Sequence, residues 1–114
     1  MALTHLSESE QDIVRQCLVA LRDGRYLSED DLLSRVGVPA AAYDRILGRW
    51  PDVDDRDDDS DECLVVNNAL NEVCHGVRIP EREWPRWFTV PRDAVAETYR
   101  RWALSRGWDH TGIR

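Results

Sequence analysis

Apolar positions in the first half of the chain recur at helical period. Ile13, Val14, Cys17, Leu18 and Leu21 stand at i, i+1, i+4, i+5 and i+8, one stripe of an amphipathic helix. The stripe returns as Val65, Val66, Ala69, Leu70 and Val73. Ser7 with Glu10, and Asp59 with Glu62, have the spacing of a capping box at each start. Gly24 and Gly76 suit the left-handed residue that ends a helix. A short second helix is predicted from Ser28, a good N-cap, to Val36, with Glu29, Asp30 and Asp31 in the turn where the helix dipole favours acids. Its later counterpart holds Glu83-Trp84-Pro85-Arg86-Trp87, in which Pro85 predicts a late start or a kink. Val38-Pro39 and Val90-Pro91 read as turns that lead into a third helix. That helix is expected to bury Tyr43, Ile46, Leu47 and Trp50 in one half and Val95, Thr98, Tyr99 and Trp102 in the other.

A shift of 52 positions lays residues 10–50 on 62–102 without a gap. Identities run along the whole length: Val14 with Val66, Leu18 with Leu70, Gly24 with Gly76, Glu29 with Glu81, Val38-Pro39 with Val90-Pro91, and Arg49-Trp50 with Arg101-Trp102. The expected fold is therefore all-α, a tandem repeat of two three-helix units packed as one compact domain. Repeat one covers 7–51, an acidic linker 52–61, repeat two 62–103 and a C-terminal tail 104–114. A chain of 114 residues and 13.2 kDa fits one core rather than two. The segments Leu32 to Trp50 and Trp84 to Trp102 resemble the helix-turn-helix of small tri-helical DNA-binding units. The resemblance is to a motif, and it implies a third helix able to enter a DNA groove.

The net charge of −7 is concentrated. Residues 1–51 carry six Arg against eight acids, 52–62 one Arg against eight, and 63–114 eight Arg against six. The acidic run reads as a solvated linker whose end caps the next helix, with metal binding or docking to an Arg-rich partner as alternatives. Alternating Asp55, Asp57, Asp59 and Asp61 suggest a calcium loop, but Ser60 stands where the loop needs glycine and Val66 where it needs a bidentate Glu. No apolar run approaches the length of a membrane span, and the N-terminus lacks the layout of a signal peptide, so a cytoplasmic protein with reduced Cys17, Cys63 and Cys74 is expected.

Two constellations could bind a partner. Asn67, Asn71 and His75 lie at i, i+4 and i+8, a polar stripe that either contacts a partner or bonds to the linker or tail within the fold. Trp84, Trp87, Phe88 and Trp108 crowd the second half among Arg78, Arg82, Arg86 and Arg92, the composition of binding hot spots. Trp87 aligns with Arg35, so its indole is either offered to a partner or covered by the tail, with Trp108 packed on it. Cys74, His75 and Asp109 or His110 make a poor catalytic set, because adjacent residues on a helix point about 100° apart. No phosphate loop, zinc-protease motif or nucleophile elbow is present.

These observations lead to the expectation of a small non-enzymatic protein-interaction module, an adaptor, regulator or inhibitor of the immunity type, with no cofactor or metal. Its partner-binding residues are expected to be Trp84, Arg86, Trp87, Arg92, Asn67, Asn71 and His75. A helix-turn-helix DNA-binding regulator is the alternative, weakened by overall acidity and by few base-reading residues on the third helices. A second alternative is an acidic inhibitor that mimics DNA phosphates. Self-association of the acidic linker with the mildly basic second half also stays open.

Overall fold

Ser7 opens the first helix as its spacing predicts. Its hydroxyl accepts the Glu10 amide while the Glu10 carboxylate accepts the Ser7 amide at 2.9 Å, and α1 runs Glu8–Asp23. The computed structural model describes residues 6–107, and every regular element among them is helical. α2 begins at Glu29–Asp31 behind a Ser28 cap closed by Asp31, then widens into a π turn, Leu32–Val36. α3 is Ala40–Arg49, and α4 is Asp61–Asn71 with a second π turn, Glu72–Gly76. α5 is Trp84–Trp87, with Pro85 in its first turn, and α6 is Arg92–Ser105. Proline 39 and proline 91 stand as the N-caps of α3 and α6. No described helix is long and apolar enough to cross a membrane.

Several local expectations are corrected. Gly24 is right-handed at φ −75°, and Arg25 takes the left-handed conformation at φ 59°. Gly24 serves space instead, since a Cβ there would overlap the Ala20 carbonyl and the Tyr26 ring. Gly76 has no positive φ either, and a Cβ on it would collide with the Glu72 carboxylate. The left-handed helix end belongs to Gly37, at φ 98°, whose amide closes the first π turn on the Leu32 carbonyl. α4 is capped by Ser60 rather than Asp59, because the Ser60 hydroxyl is the group that reaches the Cys63 amide, at 3.1 Å.

Both apolar stripes are buried in full and join one cluster with Tyr43, Val95, Tyr99 and Trp102. Leu47 and Trp50 are only half-buried. Trp50 lies just past α3, where its Nε1 donates to the Gln11 carbonyl at 2.9 Å. The core spans both halves of the chain. Gln16 of α1 donates to Thr89 Oγ1 at 3.0 Å and accepts the Thr89 amide at 3.0 Å, and Glu10 meets Arg101 at 3.2 Å.

The acidic linker is not uniformly solvated. Asp55 is 3% exposed and accepts the Trp102 indole N–H at 2.6 Å, with Arg106 at 3.8 Å. The Arg106 guanidinium lies over the Trp102 ring and also reaches Asp58. Val53 is buried beside this anchor. The indole proton and the nearby guanidinium offset part of the cost of turning this one acid inward, although burial still raises its pKa.

Candidate functional site

The face that gathers most of the expected partner-binding residues is built by the stretch between the second π turn and α6. After Gly76 the chain is non-helical until Trp84, which leaves side chains at 77–83 arranged by their partners. Arg92, the first residue of α6, reaches back over this stretch. Its Nε donates to Glu81 at 2.8 Å, its Nη2 donates to the Ile79 carbonyl, and its guanidinium lies 4.2 Å from the centre of the Trp84 ring. Phe88 stacks on Trp84 at 4.0 Å with planes 14° apart. Two groups at such distances cannot share one ring face, so Trp84 is sandwiched between them. Its Nε1 donates to the Val90 carbonyl at 2.8 Å, which fixes the indole edge as well.

Trp84 is therefore a correction to the sequence expectation. At 8% exposure, with Phe88 and Arg92 against its ring and its N–H engaged, it is a floor under the site and has little free surface for a partner. Asn67 is a second correction. It is also 8% exposed, its Oδ1 accepts the Tyr99 hydroxyl at 2.7 Å, and its Nδ2 donates to Asn68. Asn68 passes the network on to the Val36 carbonyl at 2.7 Å. The partner of Asn67 is thus α6, neither the linker nor the tail. Asn71 is half-buried with no side-chain hydrogen bond among the described residues, and His75 is exposed. The three differ in burial rather than acting as one surface: Asn67 is held inside the fold by Tyr99, Asn71 is half-buried, and His75 is exposed in the second π turn.

Arg86 is exposed and lies over the ring of Trp87 at 5.9 Å. Trp87 is half-buried against the first half of the chain, where its Nε1 donates to the Tyr26 hydroxyl at 3.2 Å. The Tyr26 hydroxyl in turn donates to Glu83. Burial raises the Tyr26 phenol above its usual value, and the Glu83 bond adds to the rise. Trp108, expected to cover Trp87, lies outside the described residues, as do Asp109 and His110. Tyr26 and Glu83 are the residues that sequence reasoning missed. The available signal was the alignment, in which Tyr26 faces Arg78 just as Arg35 faces Trp87, so each aromatic is peculiar to one half.

Two shallow depressions adjoin this face. One of about 440 Å³ is lined by Val73, His75, Arg78, Ile79, Glu81 and Arg92. A smaller one of about 150 Å³ lies against Trp84, Arg92, Val95 and Ala96. No protein family, curated protein or solved structure matches the chain. The chemistry of the face must therefore be argued from its own groups. Cys74 lines both depressions, but burial pushes its thiol up to about 11, so it stays protonated and weakly nucleophilic at neutral pH. Cys17 is raised well above the usual range by complete burial. Among the described residues no three His, Cys, Asp or Glu side chains converge in a way that could hold a metal ion. What the face offers is cationic donors beside apolar floor.

Proposed function

We propose that the chain is a small non-enzymatic protein-interaction module, of the adaptor, regulator or inhibitor kind, built from two copies of one three-helix unit. It engages its partner through Arg86, the accessible part of Trp87, Arg92 and the rim at His75. The observation that carries this reading is the run of exposed Arg78, Arg82 and Arg86 along one stretch of chain with half-buried Trp87, Arg78 also lining an open depression with Arg92 and His75. Arg and Trp at such a position supply most binding energy in protein interfaces. Protonated, partly or wholly buried thiols accord with a reducing, cytoplasmic setting.

The DNA-binding alternative is less well supported. On α6, Arg100 is tied to Glu97 and Arg101 to Glu10, which spends two cations a phosphate backbone would need. The phosphate-mimic alternative loses Asp55 to the core, while Arg56 and Arg106 neutralise Asp54 and Asp58. The test is affinity capture by tagged protein from its source cells, with and without nuclease, comparing wild type with Arg86→Glu and Trp87→Ala. A nuclease-resistant partner lost in both variants upholds the reading, with Arg86→Glu as the substitution least able to disturb folding. Retention of every partner by both variants refutes it.

A further inference from the structure

On a chain of net charge −7 the stretch from Arg78 to Trp87 presents the opposite sign outward. Arg78, Arg82 and Arg86 recur every four residues and all three are exposed. Arg78 makes no ion pair among the described residues, and Arg82 comes no nearer than 3.8 Å to Glu83. The acids between them are already engaged. Glu81 holds Arg92, and Glu83 accepts the Tyr26 hydroxyl. Of the acids lining the two depressions only Asp93, exposed at the start of α6, is left without a partner. Arg78 and Arg92 border the larger depression, and the smaller one, beside Arg92, is lined by Trp84, Val95 and Ala96.

We infer that the partner bound here presents an acidic segment carrying an apolar side chain. The inference rests on the protein-interaction reading and names the chemistry of its partner. Guanidinium forks pair carboxylates bidentately, and the smaller depression of about 150 Å³, against Trp84, Val95 and Ala96 and beside Arg92, takes an aliphatic group. A single-stranded nucleic acid, the competing polyanion, draws much of its affinity from aromatic faces on which its bases stack. Trp84, 8% exposed with Phe88 and Arg92 against its ring, offers no such face, and Trp87 is half-buried with Arg86 over its ring. Carboxylates, which need donors and no stacking platform, are the anions this face suits. Attraction between such exposed groups is screened beyond roughly 8–10 Å at ordinary salt, so binding is strongest at low ionic strength.

The probe is a fluorescein-labelled peptide of glutamates around two leucines, followed by fluorescence anisotropy at low salt, with a labelled single-stranded oligonucleotide beside it. Wild type is expected to bind the peptide, and the combined change Arg78→Glu, Arg82→Glu and Arg86→Glu to weaken it by about tenfold or more. Arg15→Glu, at an exposed position on α1, is expected to leave binding unchanged. Arg78→Ala alone, with helicity checked by circular dichroism, guards against a folding defect in the triple variant and is expected to give a smaller loss. Absence of peptide binding by wild type, equal binding by the triple variant, or tighter binding of the oligonucleotide through the same arginines overturns the inference. If the captured partner depends on Arg86 and Trp87 but the peptide neither binds nor competes, the partner chemistry is wrong and the interaction reading stands. If no captured partner depends on them, the interaction reading itself has failed.

Discussion

Asp55→Ala tests whether the acidic linker is anchored to the core. The carboxylate accepts the Trp102 indole proton at 2.6 Å, and Trp102 is 2% exposed. Truncation leaves that N–H buried without an acceptor, a penalty of about 1–3 kcal/mol. Arg106 loses one partner but keeps Asp58 and the Arg56 carbonyl, so its share of the loss is small. Some of the penalty is offset because the wild-type carboxylate is itself desolvated, which raises its pKa from the usual 3.8 despite the Trp102 bond and Arg106. A net loss of about 2 kcal/mol is expected, equivalent to roughly 10 °C in melting temperature for a domain of this size. Asp55→Asn keeps an acceptor and removes the desolvated charge, so it is expected to stay within about 1 kcal/mol of wild type. Asp59→Ala, exposed in the same run, is expected to change stability by less than about 0.5 kcal/mol. Urea unfolding at pH 7, followed by circular dichroism, measures all three. Asp55→Ala matching Asp59→Ala would refute the anchor. The raised pKa adds a sign: the stability contributed by Asp55 is fully present below pH 3.8 and lost as pH rises through its folded value. Wild type should therefore gain on Asp55→Asn as the medium is acidified, even while Asp44 and Asp54, held low by Arg22 and Arg56, lose their own contributions.

The remaining predictions concern the junction and the glycines. Tyr26→Phe removes the hydroxyl that accepts from Trp87 and donates to Glu83, and is expected to cost about 1 kcal/mol and shift tryptophan emission; unchanged stability and spectrum would remove the junction from the account. Gly48→Ala, inside α3 with nothing within 4 Å of the added Cβ, is expected to stabilise by about 0.5–1 kcal/mol. Gly76→Ala is expected to destabilise by about 1–3 kcal/mol, because its Cβ would overlap the Glu72 carboxylate that pairs with Arg35. Thermal melts of the two variants moving in the same direction would contradict the packing described for Gly76.

Helix positions and core faces were legible because they are local or periodic. Both stripes, the Ser7 box, the Ser28 cap and the Val-Pro turns depend on residues within a few positions of one another, and each appears where expected. The π turns were not legible. They widen α2 and α4 by one residue per turn through bonds such as Val77 N–H to the Glu72 carbonyl, and no residue type announces them. The polar stripe was divided by packing instead, because Tyr99 of α6 covers Asn67 while nothing among the described residues buries His75. Trp84 and Asn67 failed as surface candidates for a different reason. Composition places aromatics and amides near a site, but only tertiary structure supplied Phe88, Arg92 and Tyr99 to cover them.

The comparison between the two halves is most informative where they differ. At two aligned pairs an aromatic in one half faces an arginine in the other: Tyr26 against Arg78, and Trp87 against Arg35. The two aromatics meet across the junction, Trp87 donating to Tyr26. Of the two arginines, Arg35 is taken by buried Glu72, and Arg78 is left exposed. Two equal halves would have placed an aromatic, or an arginine, at both ends of such a junction. Like charges facing there would repel, whereas the exchange gives one hydrogen bond, one ion pair and one uncommitted cation. The same two exchanges that join the halves thus leave Arg78 exposed, in the same stretch of chain as Arg82 and Arg86. Asymmetry between otherwise similar segments is what separates the side chains that hold the halves together from the one left exposed.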